Sequence, residues 1–122
     1  DLDAVEIGGL EGAPFLETAG GVREAGVQAG PIRITKELDR IYTSDAPVTV
    51  RDRQRSIHVD KRGSASTVVW NPGPEKAARL GDLPAGGHRC FVCVEAANAP
   101  GAEVAIAAGA THSLATILTV EG

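Results

Sequence analysis

Apolar and polar residues alternate along the chain in short runs, and Gly or Pro interrupts each run. Asp3-Ala4-Val5-Glu6-Ile7 has the two-residue period of a half-buried strand. Gly8-Gly9 breaks it, and Gly12-Ala13-Pro14 opens a second short run, Phe15-Leu16-Glu17. Residues 18–30 carry four glycines, Gly20, Gly21, Gly26 and Gly30, and read as loop. Pro31-Ile32-Arg33-Ile34-Thr35 alternates again and predicts a strand. Glu37-Leu38-Asp39-Arg40-Ile41-Tyr42 follows with charge and bulk interleaved, and residues 43–47 form a turn around Asp45 and Pro47. Val48-Thr49-Val50-Arg51-Asp52 and Ser56-Ile57-His58-Val59-Asp60 flank Arg53-Gln54-Arg55 and predict a hairpin.

Ser64-Ala65-Ser66-Thr67-Val68-Val69-Trp70 is the next expected strand, and Asn71-Pro72-Gly73-Pro74 stops it. Pro74 suits a first helical position, so Glu75-Lys76-Ala77-Ala78-Arg79-Leu80, closed by Gly81, predicts one short helix. A loop through Gly87 leads into a strand ending at Glu95. Residues 96–101 turn, Glu103-Val104-Ala105-Ile106 alternates, and residues 113–120 form a closing strand. About ten short strands with Gly/Pro turns and one helix predict an all-β antiparallel sandwich. No repeat or linker divides residues 1–122, which read as one unit.

Composition narrows the function classes. Aromatics make up only 3%, so Val, Ile, Leu and Ala must build the core. The 16 acidic and 12 basic residues are mixed along the chain, for a net charge of −4, without the clustered basic face that nucleic-acid binding needs. Arg51, Arg53, Arg55, Lys61 and Arg62 read as solvated tips and edge charges that oppose aggregation, rather than as a phosphate site. No apolar run is long enough to span a bilayer, and no signal peptide opens the chain. Met is absent and the chain starts at Asp1, so a fragment or a processed product is expected. Two unpaired thiols, Cys90 and Cys93, suggest a reducing, cytoplasmic setting. Three residues apart on an extended strand, they face opposite ways at about 10 Å and do not bridge.

Candidate chemistry centres on Cys90-Phe91-Val92-Cys93-Val94-Glu95-Ala96-Ala97-Asn98. In extended chain Phe91, Cys93 and Glu95 share one face, and Cys90, Val92 and Val94 share the other. Glu95 then stands where a strand normally buries hydrocarbon, or it is the first solvated residue after the strand. The pattern leaves both readings open. A metal site would draw on Cys90, Cys93, His58, His88 and His112, but no second ligand pair has suitable spacing, so no metal is expected. No Gly-x-Ser-x-Gly elbow supports a nucleophilic serine, and no helix follows the glycines to form a phosphate cradle. Acid/base chemistry on a polyol would use Glu95 as the proton-exchanging carboxylate, with Trp70 as a shielding wall and Asp39 as a hydroxyl acceptor. Asp39 beside Arg40 also fits a plain surface ion pair.

Taken in order, Leu10 to Glu17, Asp39-Arg40-Ile41-Tyr42, Val68-Val69-Trp70-Asn71-Pro72 with Glu75-Lys76-Ala77 and Asp82, Cys93-Val94-Glu95-Ala96-Ala97-Asn98, and Ala108-Gly109 form a set. This set resembles the hexose-6-phosphate mutarotases (glucose-6-phosphate 1-epimerases) of the galactose-mutarotase-like, aldose 1-epimerase superfamily, and the chain is similar to their C-terminal part. The resemblance implies part of a twisted antiparallel β-supersandwich and an isomerase that interconverts the α and β anomers of a hexose 6-phosphate without a cofactor. It implies Glu95 as general base and Asp39 as sugar contact, with Arg40 and Trp70 as further substrate-binding candidates. The histidine acid and the phosphate-binding arginines of the family lie upstream of the matched part. Association with that upstream part, or self-association through an exposed sheet edge, is expected. Gly73 stands where the family usually has a second tryptophan, and Glu17 where it usually has Asp. The other readings are a non-catalytic carbohydrate-binding sandwich and a structural β-domain.

Overall fold

The computed structural model describes residues 2–122. Its nine strands form two antiparallel sheets, as the turn-punctuated pattern predicts. In chain order they are β1 (Glu6–Gly8), β2 (Pro14–Glu17), β3 (Glu24–Val27), β4 (Leu38–Tyr42), β5 (Val48–Arg51), β6 (Ser56–Arg62), β7 (Ser66–Asn71), β8 (Cys93–Ala97) and β9 (Ala115–Glu121). One sheet runs β1-β5-β6-β9 and the other β3-β2-β4-β7-β8. The core between them is Ile7, Leu10, Ile32, Leu38, Tyr42, Val48, Val59 and Val69. Tyr42, Val48 and Val69 lose all solvent contact. Each such side chain contributes roughly 1.5–3 kcal/mol of burial free energy, so aliphatic residues carry the core despite the few aromatics.

The β5–β6 hairpin forms in the expected place, with Val48 opposite Val59 and Val50 opposite Ile57. Its turn is closed by Asp52, whose Oδ1 accepts from the N–H groups of Gln54 (2.7 Å) and Arg55 (2.9 Å). Those two donors hold the Asp52 carboxyl below its usual range.

Several elements differ from the sequence expectation. Residues 18–30 contain β3, an edge strand paired with β2. Its Gly26 lies under the Phe15 ring, where a Cβ would come within 2.6 Å of the ring carbon, so the glycine that suggested loop is what allows the aromatic to cover the strand. Around residues 31–35 only the Ile7–Ile32 bridge forms. Ile32 is buried there because Ile7 and Ile32 exchange backbone hydrogen bonds of 2.8 and 2.9 Å. The helix, α1 (Gly73–Ala77), is shorter than predicted. A single 3₁₀ turn, Gly87–Cys90, precedes β8, so Cys90 lies outside the strand and is exposed. Residues 103–106 alternate but pair with nothing, and Val104 and Ile106 are exposed.

Gly73 shows how tightly the β7–α1 junction is built. It is buried at φ +62°, and a Cβ there would meet the Glu37 backbone nitrogen at 2.5 Å and its Cα at 2.9 Å. A side chain at this position, tryptophan included, collides with backbone that cannot rotate away. Gly73→Ala is expected to destabilise the chain by about 2 kcal/mol or more. A lowered urea midpoint with an unchanged m-value would report it; an unchanged midpoint would show that the junction relaxes freely.

Candidate functional site

Strand β7 sits between β4 and β8, and its register decides which side chains meet. Trp70 lies opposite Asp39 on one side and Cys93 on the other. Two residues along, on the same face, Val68 lies opposite Ile41 and Glu95. Asp39, Trp70, Cys93, Ile41, Val68 and Glu95 therefore share the face turned away from the core, since Leu38, Tyr42 and Val69 on the alternate positions are buried. Asp39 and Glu95 flank β7 two strands and two residues apart, about 12 Å between Cα atoms. Val68 and Trp70 form the floor between them. Neither carboxylate accepts a hydrogen bond from another described residue.

Trp70 is anchored rather than loose. Its ring centroid is 5.9 Å from that of Phe91, and the Lys76 ammonium lies 6.0 Å from it. Lys76 is itself held by Glu37, Nζ to Oε1 at 3.0 Å, and this contact is the main reason the Glu37 carboxyl falls below its usual range. Trp70 stands diagonal to Glu95, beside Cys93, so it does not wall Glu95 off. Glu95 is exposed on β8, whose outer edge has no strand partner.

Arg40 is not brought to this face. Adjacent to Asp39 in an extended strand, it turns inward. Its Nε donates to Glu17 Oε2 at 2.7 Å, its Nη1 donates to Gln28 Oε1 at 3.0 Å, and the guanidinium lies 4.2 Å from the Phe15 ring centroid. Gln28 Oε1 also accepts from the Tyr42 hydroxyl at 2.7 Å. Burial pushes the Tyr42 phenol up; burial also opposes the Arg40 charge, but the hydrogen bonds that Arg40 donates to Glu17 and Tyr42 outweigh it and raise Arg40. The Arg40–Glu17 pair is half-buried, with side-chain exposures of 24% and 16%, and turning Arg40 outward would break its hydrogen bonds to both Glu17 and Gln28. Arg40, expected as a substrate-binding residue, thus braces the inner side of the sheet instead of joining Asp39 and Trp70 on the outer face. The ion pair is with Glu17, and Asp39 is left unpaired.

Asn98, at the end of the Cys-Val-Glu-Ala-Ala-Asn run, is structural. Its Oδ1 accepts from Ala65 N–H at 3.1 Å and its Nδ2 donates to Gly63 O at 3.2 Å, fastening the end of β8 to the β6–β7 turn. The three histidines are engaged elsewhere. His58 bridges Thr49 and Glu121 on the other sheet (3.1 and 3.2 Å), His112 contacts Gly63 O at 2.7 Å, and His88 lies in the 3₁₀ turn. The two larger cavities, about 360 and 480 Å³, are lined by neither Glu95, Asp39 nor Trp70. The carboxylate face is an open surface.

Two antiparallel sheets closed over a mainly aliphatic core make this an all-β sandwich. The profile of the aldose 1-epimerase family matches residues 3–119, and the chain belongs to that family. It is 31% identical over 102 residues to a protein of Escherichia coli K12 named "Putative glucose-6-phosphate 1-epimerase", covering 81% of this chain and 34% of that one. A Salmonella typhimurium protein of the same name is 32% identical over 98 residues, 78% of this chain and 33% of its own. Among solved structures, the Salmonella typhimurium "putative mutarotase (YeaD)" superposes with TM-score 0.71 at 31% identity, over 77% of this chain and 32% of that chain. HI1317 superposes with TM-score 0.81 at 20% identity, over 99% and 42%, which shows the shared fold. The chain spans about a third of the length of the curated relatives it matches.

Cys93 offers a direct check on this face. Burial first, and the Glu95 charge second, push its thiol up, while Cys90 is exposed. At neutral pH a thiol reagent is expected to modify Cys90 well before Cys93, and Glu95→Gln should speed the Cys93 reaction by removing a neighbouring negative charge. Mass spectrometry of timed samples reads both rates. Equal rates in the wild-type chain, or no acceleration by the substitution, would contradict the geometry.

Proposed function

We propose that this chain supplies the carboxylate side of the active site of a mutarotase acting on hexose 6-phosphates. The observation that carries the reading is that Asp39 and Glu95, neither carboxylate with a hydrogen-bond or ion-pair partner among the described residues, share one face with Val68 and Trp70 between them. A carboxylate left unpaired beside an apolar floor suits hydroxyl groups, since it accepts hydrogen bonds while the floor packs against the ring's C–H face. The relatives' names support a phosphorylated hexose as substrate.

In the proposed cycle Asp39 accepts hydrogen bonds from ring hydroxyls and fixes the sugar's orientation. Glu95 takes the proton from the C1 hydroxyl as the C1–ring-oxygen bond breaks, and an acid protonates the ring oxygen. The C1–C2 bond rotates, and the reverse proton transfers close the ring on its other face. His58 and His112 are held by contacts on other parts of the sandwich, and the resemblance to the hexose-6-phosphate mutarotases supports a histidine upstream of the matched part as the acid. The same upstream polypeptide shields Glu95, which a base exchanging protons near neutral pH requires. The exposure of Glu95 in this chain favours a second reading for residues 1–122 taken alone, that of a carbohydrate-binding sandwich without turnover.

Glu95→Gln in the native protein that carries this chain should slow anomer exchange of glucose 6-phosphate by roughly 10²–10⁴-fold with substrate binding retained. Exchange NMR measures the rate, and retained acceleration would sink the assignment of the base. The 122-residue chain alone should show little or no acceleration. Brisk exchange by it would mean that the acid lies within these residues. Sugar binding without exchange in the native protein would favour the binding module.

A further inference from the structure

We propose that Glu17 is the positioning residue for Asp39, an inference that rests on the reading of Asp39 as the sugar acceptor. Strands β2 and β4 pair regularly from Phe15–Tyr42 to Glu17–Arg40. The next rung would join Thr18 and Asp39, and half of it forms: Asp39 O accepts from the Thr18 N–H at 2.8 Å and from the Thr18 hydroxyl at 3.1 Å. The other half is lost, because the chain turns away into the 3₁₀ turn Ala19–Gly21 and the Thr18 carbonyl accepts from Gly21 N–H at 3.1 Å instead. The Asp39 N–H is left without its ladder acceptor.

Glu17 replaces that acceptor. Its Oε1 accepts from Asp39 N–H at 3.1 Å and from Ala19 N–H at 3.1 Å, while Oε2 accepts from Arg40 Nε at 2.7 Å. Arg40 is braced in turn by Gln28 and the Phe15 ring, so the carboxylate is locked from behind. The clamp acts on the inner side of β4, and Asp39 projects from the outer side. The Asp39 peptide is thus held at both its N–H and its C=O, which fixes the direction in which its side chain leaves the sheet. Glutamine has a single acceptor oxygen, so at position 17 it serves either the two N–H groups or Arg40, not both.

The test has two readouts. In amide hydrogen exchange of the 122-residue chain, removing the Glu17 carboxylate in Glu17→Leu/Arg40→Met should speed exchange of both the Ala19 and the Asp39 N–H roughly tenfold or more, with the Val69 N–H at the centre of β7 unchanged. In the native protein that carries the chain, Glu17→Gln should raise the KM for glucose 6-phosphate roughly three- to tenfold, the loss of about one well-aimed hydrogen bond, with kcat changed less than about twofold. The double variant Glu17→Leu/Arg40→Met removes the ion pair without leaving a buried charge, so it keeps the fold and should reproduce the KM effect. Unchanged exchange of the Ala19 and Asp39 amides overturns the clamp. An unchanged KM, or a fall in kcat alone, overturns its role in aiming Asp39. A wild-type protein that shows no anomer exchange overturns the mutarotase reading instead, and amide exchange still decides the clamp.

Discussion

The register of β7 against β4 and β8 is the constraint on which the rest of the molecule depends. A slip of one residue would carry every side chain of β7 to the opposite face, drawing Val69 out of the core and pushing Trp70 into it. Side chains at both ends of the strand prevent this. Asn71 Nδ2 donates to the carbonyls of His88 and Phe91, both at 2.8 Å, while its Oδ1 accepts from Gly73 N–H at 2.9 Å. At the other end Ser66 Oγ donates to Ala97 O and Thr67 Oγ1 to Ser44 O, each at 2.8 Å. All three residues are fully buried, so a shifted register would strand polar groups without water, at about 1–3 kcal/mol for each unsatisfied group. With β7 pinned, Asp39 and Glu95 have to face the same way.

The inner side of the same sheet carries a second kind of order. Glu17, Arg40, Gln28 and Tyr42 place an ion pair, an amide and a phenol beside an aliphatic core, and burying such groups returns little net stability. What the network supplies is position. It lets β2 end abruptly at a turn without leaving the Asp39 peptide unsatisfied, so the strand that carries the proposed sugar acceptor stays rigid at the point where its neighbour departs.

How much of this was readable from residues alone varies with the range of the interaction. The β5–β6 hairpin was legible because alternation, Asp52 and a short turn are all local. Strand β3 was not, because Gly26 and Ala25 erase the alternation and only the distant Phe15 gives Gly26 its reason. Residues 103–106 show the converse, a strand-like pattern with no partner to pair with. At the candidate site, Glu95 and Asp39 stood out as carboxylates in apolar strands, but their common face depended on a register that the pattern does not encode. The inward turn of Arg40 was within reach, since neighbours in a strand cannot share a face. Glu17 carried little local signal, because only Ala19 is a near neighbour in sequence and its other partners, Asp39 and Arg40, lie 22 and 23 positions away.

Strand β9 pairs with β6 through seven residues, and its other side is an open sheet edge. Leu118 and Val120 are 64% and 61% exposed, and Ala115-Thr116-Ile117-Leu118-Thr119-Val120 carries no charge until Glu121. Lysine, proline and bulges, the usual deterrents to strand addition, are all missing from that edge. The strand is therefore an uncovered boundary of the sandwich, with the geometry that strand addition requires. Along that rim the backbone N–H and C=O groups that point away from β6 are left to water or to an added strand.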